Sequence, residues 1–191
     1  MNKKILLITS LVFFTCTVAL STVLYLQFQR NIELLFVRID KQKLKLSIIG
    51  KGGQVLKEFP VAVGTGLGDK VKKGDMKTPE GIFSVQEILD AHDWKYDFTD
   101  DSLGLIKGAY GPWFIRLNVP GQKGIGIHGT YDSSTIGKRI SHGCVRMKNA
   151  DVEYLKNLIR VGAPVIITAG LKDYEAELSD TTKLGKITTI K

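Results

Sequence analysis

Two short segments carry the side chains that could do chemistry. Ile127-His128-Gly129-Thr130 supplies one imidazole. Ser141-His142-Gly143-Cys144-Val145-Arg146-Met147 supplies a second imidazole, a hydroxyl, a thiol and a guanidinium. If residues 142–146 are extended, His142, Cys144 and Arg146 project from one face at i, i+2 and i+4. Gly143 between them admits another backbone or a substrate at close range. A free thiol titrates near about 8.5, so little of it is thiolate at pH 7 without help. A neighbouring imidazole supplies that help, as base or as ion-pair partner. The N–H groups of Gly143 and Cys144 are candidates to hold an oxyanion on an attacked carbonyl. Together these groups suit acyl transfer through a thioester.

Other readings of the same residues remain open. A lone cysteine or histidine is often a buried structural residue, although three polar groups on one face are expensive to bury together unless they pair. His128, His142 and Cys144 also have the donor types of a three-ligand zinc site, with no acidic residue at a familiar spacing. Gly64-Thr-Gly-Leu-Gly68 resembles a phosphate loop only superficially: no Gly-Lys-Ser/Thr follows and no helix is expected after it. Turn glycine is the better account.

The elements that must position these groups are mostly strands. Residues 34–40 and 43–49 alternate apolar and polar around Lys41-Gln42, which predicts a hairpin. A turn at 50–53 leads to a third strand over 55–63, and residues 64–79 read as a long loop rich in glycine and lysine. Further strands are expected over 82–86, 113–119, 124–128 and 164–168. The one convincing helix covers 149–160, capped by Asn149 or Asp151, with Val152, Leu155, Leu158 and Ile159 on its apolar face. Residues 87–104 hold Glu87, Asp90, Asp93, Asp97, Asp100 and Asp101 against Lys95 alone, a net charge of −5. Such an insertion reads as a solvated loop or as a flap over a pocket. Residues 171–191 are polar and threonine-rich and read as a loosely ordered tail.

Composition narrows the class. The chain has 191 residues, 43% apolar and 24% charged, which is globular and excludes wholesale disorder. Its two cysteines, Cys16 and Cys144, cannot build a disulfide framework. The net charge of +8 favours anionic surroundings such as nucleic acid, lipid headgroups or an acidic wall polymer. Residues 5–28 contain no charged side chain, and as a helix they would span about 36 Å, enough for a hydrocarbon core of about 30 Å. A cleaved signal usually has a shorter apolar region, so an uncleaved anchor over residues 1–30 is expected. Lys3 and Lys4 favour a cytoplasmic N-terminus, whereas Arg30, Arg38, Lys41, Lys43 and Lys45 follow the segment, so loop charge alone leaves the orientation open.

His128-Gly-Thr, with twelve residues between His128 and Ser141, followed by Ser141-His-Gly-Cys-Val-Arg-Met, resembles the signature of the L,D-transpeptidase family (the YkuD-type domain). Supporting likenesses are Val63-Gly64, Thr78-Pro-Glu-Gly-Ile-Phe83, Ser134-Thr-Ile-Gly137, Asn149-Ala-Asp151 and Gly162-Ala-Pro-Val-Ile-Ile167. Tyr131 departs from it, standing where Asn is expected. The resemblance implies a mainly β, sandwich-like catalytic domain over residues 31–170, with 87–110 as an insertion or capping loop. It implies Cys144 as nucleophile and His142 as its base, with Ser141 or a backbone carbonyl orienting the imidazole. His128, Gly129, Gly143 and Arg146 would line the pocket, and Arg146 would shape the site or hold a substrate carboxylate. The implied substrate is a peptidoglycan tetrapeptide stem, cleaved with release of D-alanine and joined to an amine in a 3→3 cross-link; water as acceptor would make the enzyme an L,D-carboxypeptidase. The same acyl-enzyme could also attach or release wall-linked protein. No metal or other cofactor and no nucleic-acid partner is expected. The domain would lie outside a bacterial cytoplasmic membrane, held by a single span over residues 5–28. A zinc hydrolase and a non-catalytic wall-binding module remain as alternatives of other classes.

Overall fold

Val37, Ile39, Leu46 and Ile48 alternate along two strands, and in the computed structural model all four are buried on the inner side of an antiparallel hairpin. The structure describes residues 3–33, 35–50, 52–98 and 104–188. Asp100 and Asp101 of the acidic insertion, Lys51 of the expected turn, and the two chain ends therefore lie outside the described residues. The chain divides into two compact units, Met1–Leu34 and Leu35–Lys191.

The first unit is helix α1 (Lys3–Glu33). Its stretch Leu7–Gln27 is long and apolar enough to cross a membrane. Five of the hydroxyls within it donate to carbonyls one turn back: Thr9 to Ile5, Thr15 to Val12, Thr17 to Phe14, and Ser21 and Thr22 to Val18. Every one of those polar groups is thus satisfied inside the helix, as a hydrocarbon surrounding requires.

The second unit is built on one sheet. Its strands are β1 (Phe36–Asp40), β2 (Lys45–Ile49), β3 (Val55–Pro60), β5 (Gly81–Asp90), β8 (Trp113–Leu117), β9 (Gly126–His128), β11 (Val145–Arg146) and β12 (Pro164–Thr168), in the spatial order β11-β9-β8-β5-β12-β1-β2-β3. Two smaller pairs stand apart from it: β4 (Val63–Gly64) with β10 (Arg139–Ser141), and β6 (Lys95–Phe98) with β7 (Gly104–Lys107). The large sheet curls until its ends meet. Ala62, two residues beyond edge strand β3, exchanges hydrogen bonds with Arg146 on the opposite edge strand, at 2.9 and 2.8 Å. Inside the curl lies an aliphatic core that includes Ile39, Leu46, Val61, Ile115, Ile127 and Val165.

The mainly β, sandwich-like reading holds, its layers formed by one sheet curled on itself. Three local expectations change. Strand β5 runs to Asp90, past a register shift between Val85 and Glu87, because Glu87–Asp90 pair with β8. Helix α2 (Asn149–Leu158) starts without a side-chain cap at Lys148, and the Asn149 side chain instead accepts the Thr130 N–H at 2.8 Å. Residues 171–188, expected as a loose tail, form helix α3 (Leu171–Thr188).

The start of α3 is tied down by charge. Lys41, 1% exposed, points its ammonium at the Gly68 and Thr78 carbonyls (3.0 and 3.1 Å), at Glu80, and at Asp173 in the first turn of α3 (3.2 Å). Asp173 also accepts the Gly68 and Gly170 amides and an Arg139 N–H. Burial pushes the Asp173 carboxyl up, but the Gly170 and Gly68 amides, Arg139 and Lys41 outweigh it and hold it below its ordinary value. The stabilisation is therefore present above about pH 4 and is lost as pH falls through the lower folded-state value. Asp173→Ala is expected to cost about 3–5 kcal/mol by stranding buried cations, read as an earlier urea midpoint by tryptophan fluorescence. A loss below about 1 kcal/mol would show that the cations are satisfied without Asp173.

Candidate active site

Strands β9 and β11 run parallel with Ile127 opposite Val145 and His128 opposite Arg146. That register puts His128 and Arg146 on the same face of the sheet. Just before β11 the chain turns sharply at Gly143, whose φ is +129°. A side chain there would meet the Lys77 carbonyl at 2.7 Å, so only glycine fits. The expected extension of residues 142–146 is thus limited to Val145–Arg146. His142, Cys144 and Arg146 nevertheless line one cavity of about 470 Å³, together with His128, Ser141 and Tyr110.

Cys144 is half-buried, and its thiol points at the Gly124 carbonyl at 3.3 Å. Burial pushes its pKa up; the Gly126 amide, Arg146, Lys70 and Arg116 pull it down without cancelling that effect. The resting group is a thiol. Ser141, 1% exposed, donates its hydroxyl to the Cys144 carbonyl at 2.5 Å and accepts the Gly143 N–H at 3.1 Å. Its hydroxyl therefore pins the turn that carries the cysteine. The same bond engages the Gly143 N–H that the sequence suggested for an oxyanion.

The two imidazoles sit in different surroundings. His128 is 4% exposed, stacked on Phe114 with ring centres 5.5 Å apart and met edge-on by Tyr110 at 4.9 Å. Its Nδ1 lies 2.6 Å from the Gly129 carbonyl, which places the ring proton there. Burial and then Arg146 lower its pKa to about 3, against the opposing pull of the Gly129 and Tyr110 carbonyls. His128 is therefore neutral at pH 7. Gly129 must be glycine, because a Cβ would meet the Asn149 side chain at 2.3 Å. His142 is half-buried, and its Nδ1 is 2.9 Å from the Tyr96 hydroxyl.

Tyr96 belongs to the β6–β7 hairpin, so part of the acidic insertion reaches the cavity wall. Neither Tyr96 nor Tyr110 was singled out in the sequence; aromatic residues among acidic ones were the only signal. Lys70, which also lines the cavity, is ion-paired to Asp75 at 2.6 Å. Among the described residues no three His, Cys, Asp or Glu side chains stand together as metal ligands, which leaves the zinc reading without a ligand set there. The Gly64–Gly68 stretch offers no phosphate cradle either: the Gly68 amide is held by Asp173, and a Cβ at Gly64 would collide with the Met76 carbonyl.

A curled β domain with a thiol and two imidazoles around one cavity defines a class of enzyme that comparison with known proteins makes specific. The family model of the YkuD L,D-transpeptidase catalytic domain matches residues 34–167. This chain belongs to that L,D-transpeptidase family. Putative L,D-transpeptidase YqjB of Bacillus subtilis is 32% identical to it over 142 residues, 73% of this chain and 74% of that protein. Putative L,D-transpeptidase YkuD of Bacillus licheniformis is 41% identical over 115 residues, 60% of this chain and 54% of that protein. An L,D-transpeptidase structure from Mycobacterium smegmatis shares the fold with a TM-score of 0.52 at 20% identity, covering 71% of this chain and 59% of that one. The chain thus spans less than two thirds of the length of the last two.

The raised thiol pKa has a direct readout. Alkylation of Cys144 by iodoacetamide, located by peptide mass spectrometry, should still be accelerating at pH 9. A plateau reached between pH 6 and 7 would instead reveal a preformed thiolate–imidazolium pair.

Proposed function

We propose that this enzyme is a cysteine-dependent L,D-transpeptidase acting on peptidoglycan tetrapeptide stems. The observation that carries the reading is that the Cys144 thiol and two imidazoles line one cavity, in a domain of this family. The thiol proton passes to an imidazole as sulfur attacks the carbonyl of the third stem residue. The C–N bond then breaks, the departing D-alanine amine takes the proton from the imidazolium, and a thioester remains on Cys144. The side-chain amine of a neighbouring stem attacks the thioester and gives up a proton to the imidazole. Sulfur leaves and is reprotonated, and the stems are joined 3→3.

The sequence nominates His142 as the base, but two observations favour His128. The Gly129 carbonyl holds the ring proton on Nδ1, which leaves Nε2 with a lone pair, and burial keeps the ring neutral at working pH. His142 has the Tyr96 hydroxyl on its Nδ1, a group that can donate or accept. His142 remains the second reading. Residues 5–28 would tether the domain outside the cytoplasmic membrane, with α1 as a lasting anchor in place of a cleaved signal. Full-length mass in the membrane fraction supports the anchor, and a shortened soluble product excludes it.

Mass spectrometry of the full-length protein in detergent, incubated with disaccharide-tetrapeptide, tests the chemistry. The expected product is a cross-linked dimer lacking one D-alanine, absent with Cys144→Ala. A tripeptide without dimer would favour the carboxypeptidase, and no product would remove the reading. His128→Gln should lower kcat by about 10²- to 10⁴-fold, with a smaller loss for His142→Gln. The reverse order would restore His142 as the base.

A further inference from the structure

We propose that Asp97 is the specificity residue for the acceptor: its carboxylate holds the ammonium of the incoming amine at the Cys144 cavity, so that the acyl-enzyme passes to an amine in preference to water. That role rests on the transfer reading above and adds the group that selects the second substrate. Four cations line the cavity, Lys70, Lys73, Lys123 and Arg146, and among the described residues one carboxylate does, Asp97. Lys70 is answered by Asp75, whereas Lys73 and Lys123 are exposed. An alkyl amine titrates at about 10.4 and arrives as ammonium at pH 7. A wall carrying these cations repels it, and Asp97 is the group there that attracts it.

Asp97 belongs to the acidic insertion, and other acids of that segment have different tasks. Glu87 pairs with Arg116 at 3.2 Å, Asp90 meets His92 at 2.7 Å, and Asp93 pairs with Lys107 at 2.9 Å. None of these three lines the cavity. Asp97 does, and it is exposed, so a ligand coming from solvent has access to it. The preceding residue, Tyr96, holds strand β6 against the site. Its hydroxyl is 2.9 Å from His142 Nδ1, and its ring centre is 5.9 Å from that of Tyr110. Asp97 is therefore one residue from a side chain fixed to a catalytic imidazole.

Charge then orders the second half of the reaction. Asp97 binds the ammonium through charge-assisted hydrogen bonds. Release of one proton to solvent frees the nitrogen lone pair, and the amine attacks the thioester carbonyl. A second proton passes through an imidazole to the departing sulfur as the amide forms. Water carries no charge and gains nothing from Asp97, so the carboxylate shifts the partition towards transfer.

The test gives full-length protein in detergent a disaccharide-tetrapeptide donor and one of two acceptors. The first is a free tripeptide whose third residue bears a side-chain amine; the second is hydroxylamine, which is uncharged near pH 7. Mass spectrometry reads the ratio of transfer product to hydrolysed donor. Asp97→Asn should lower that ratio about fivefold for the tripeptide amine and by much less for hydroxylamine. Asp97→Glu keeps the charge and should retain most of the amine preference, which separates recognition from misfolding. An equal loss with both acceptors, or no loss with the amine, overturns the proposal. Affinity for Cys144→Ala reads recognition without turnover: the tripeptide amine should bind about fivefold more tightly than its N-acetyl form, and adding Asp97→Asn should remove most of that difference. If wild type makes no transfer product while this difference appears and is lost with Asp97→Asn, the subsite stands and the transpeptidase reading falls. If transfer product forms and the amine preference survives Asp97→Asn, the transpeptidase reading stands and the subsite falls.

Discussion

The pair of backbone hydrogen bonds between Ala62 and Arg146 closes the curled sheet, and the active site depends on that closure. Strand β11 has two residues, too few to hold a position by its ladder with β9 alone. Bonding Arg146 to the chain emerging from β3 gives β11 a second neighbour and removes an exposed edge. With β11 fixed on both sides, the turn before it has one path, and the thiol of Cys144 is delivered to a fixed place. Ser141 completes the constraint by bonding both the Gly143 amide and the Cys144 carbonyl.

The loop that backs this turn is held by charge where the sheet cannot reach it. Asp75 accepts the amides of Val71, Lys72 and Lys77 and pairs with Lys70, while Asp69 accepts the Lys70 and Glu80 amides. Lys41 and Asp173 anchor the same loop from the β1–β2 turn and from α3. Helix α3 is therefore part of the scaffold behind the cavity. Lys77 links scaffold to site: its carbonyl lies where a side chain on residue 143 would be, so the loop sets how closely the cysteine turn can approach.

What the sequence disclosed follows the range of the interactions. The strands were legible because their apolar alternation is a local pattern, as at Val37–Ile39 and Leu46–Ile48. Cys144, His142 and His128 were legible because thiol and imidazole side chains in two short segments have few other uses. Helix α3 was not, since its start is organised by Asp173 meeting Lys41 and Arg139 far away in the chain. Asn149 looked like a cap but serves the Thr130 amide, a contact across nineteen positions that no local rule contains. Tyr96 was invisible for the same reason, being brought to His142 only by the β6–β7 hairpin.

The electrostatics of the site set the two halves of a proton transfer against each other. Burial is the leading cause of both shifts, and it favours the uncharged form of the Cys144 thiol and of the His128 imidazole alike. Arg146 pulls both values down, favouring thiolate on sulfur while disfavouring imidazolium on nitrogen, so its charge works for the nucleophile and against the base.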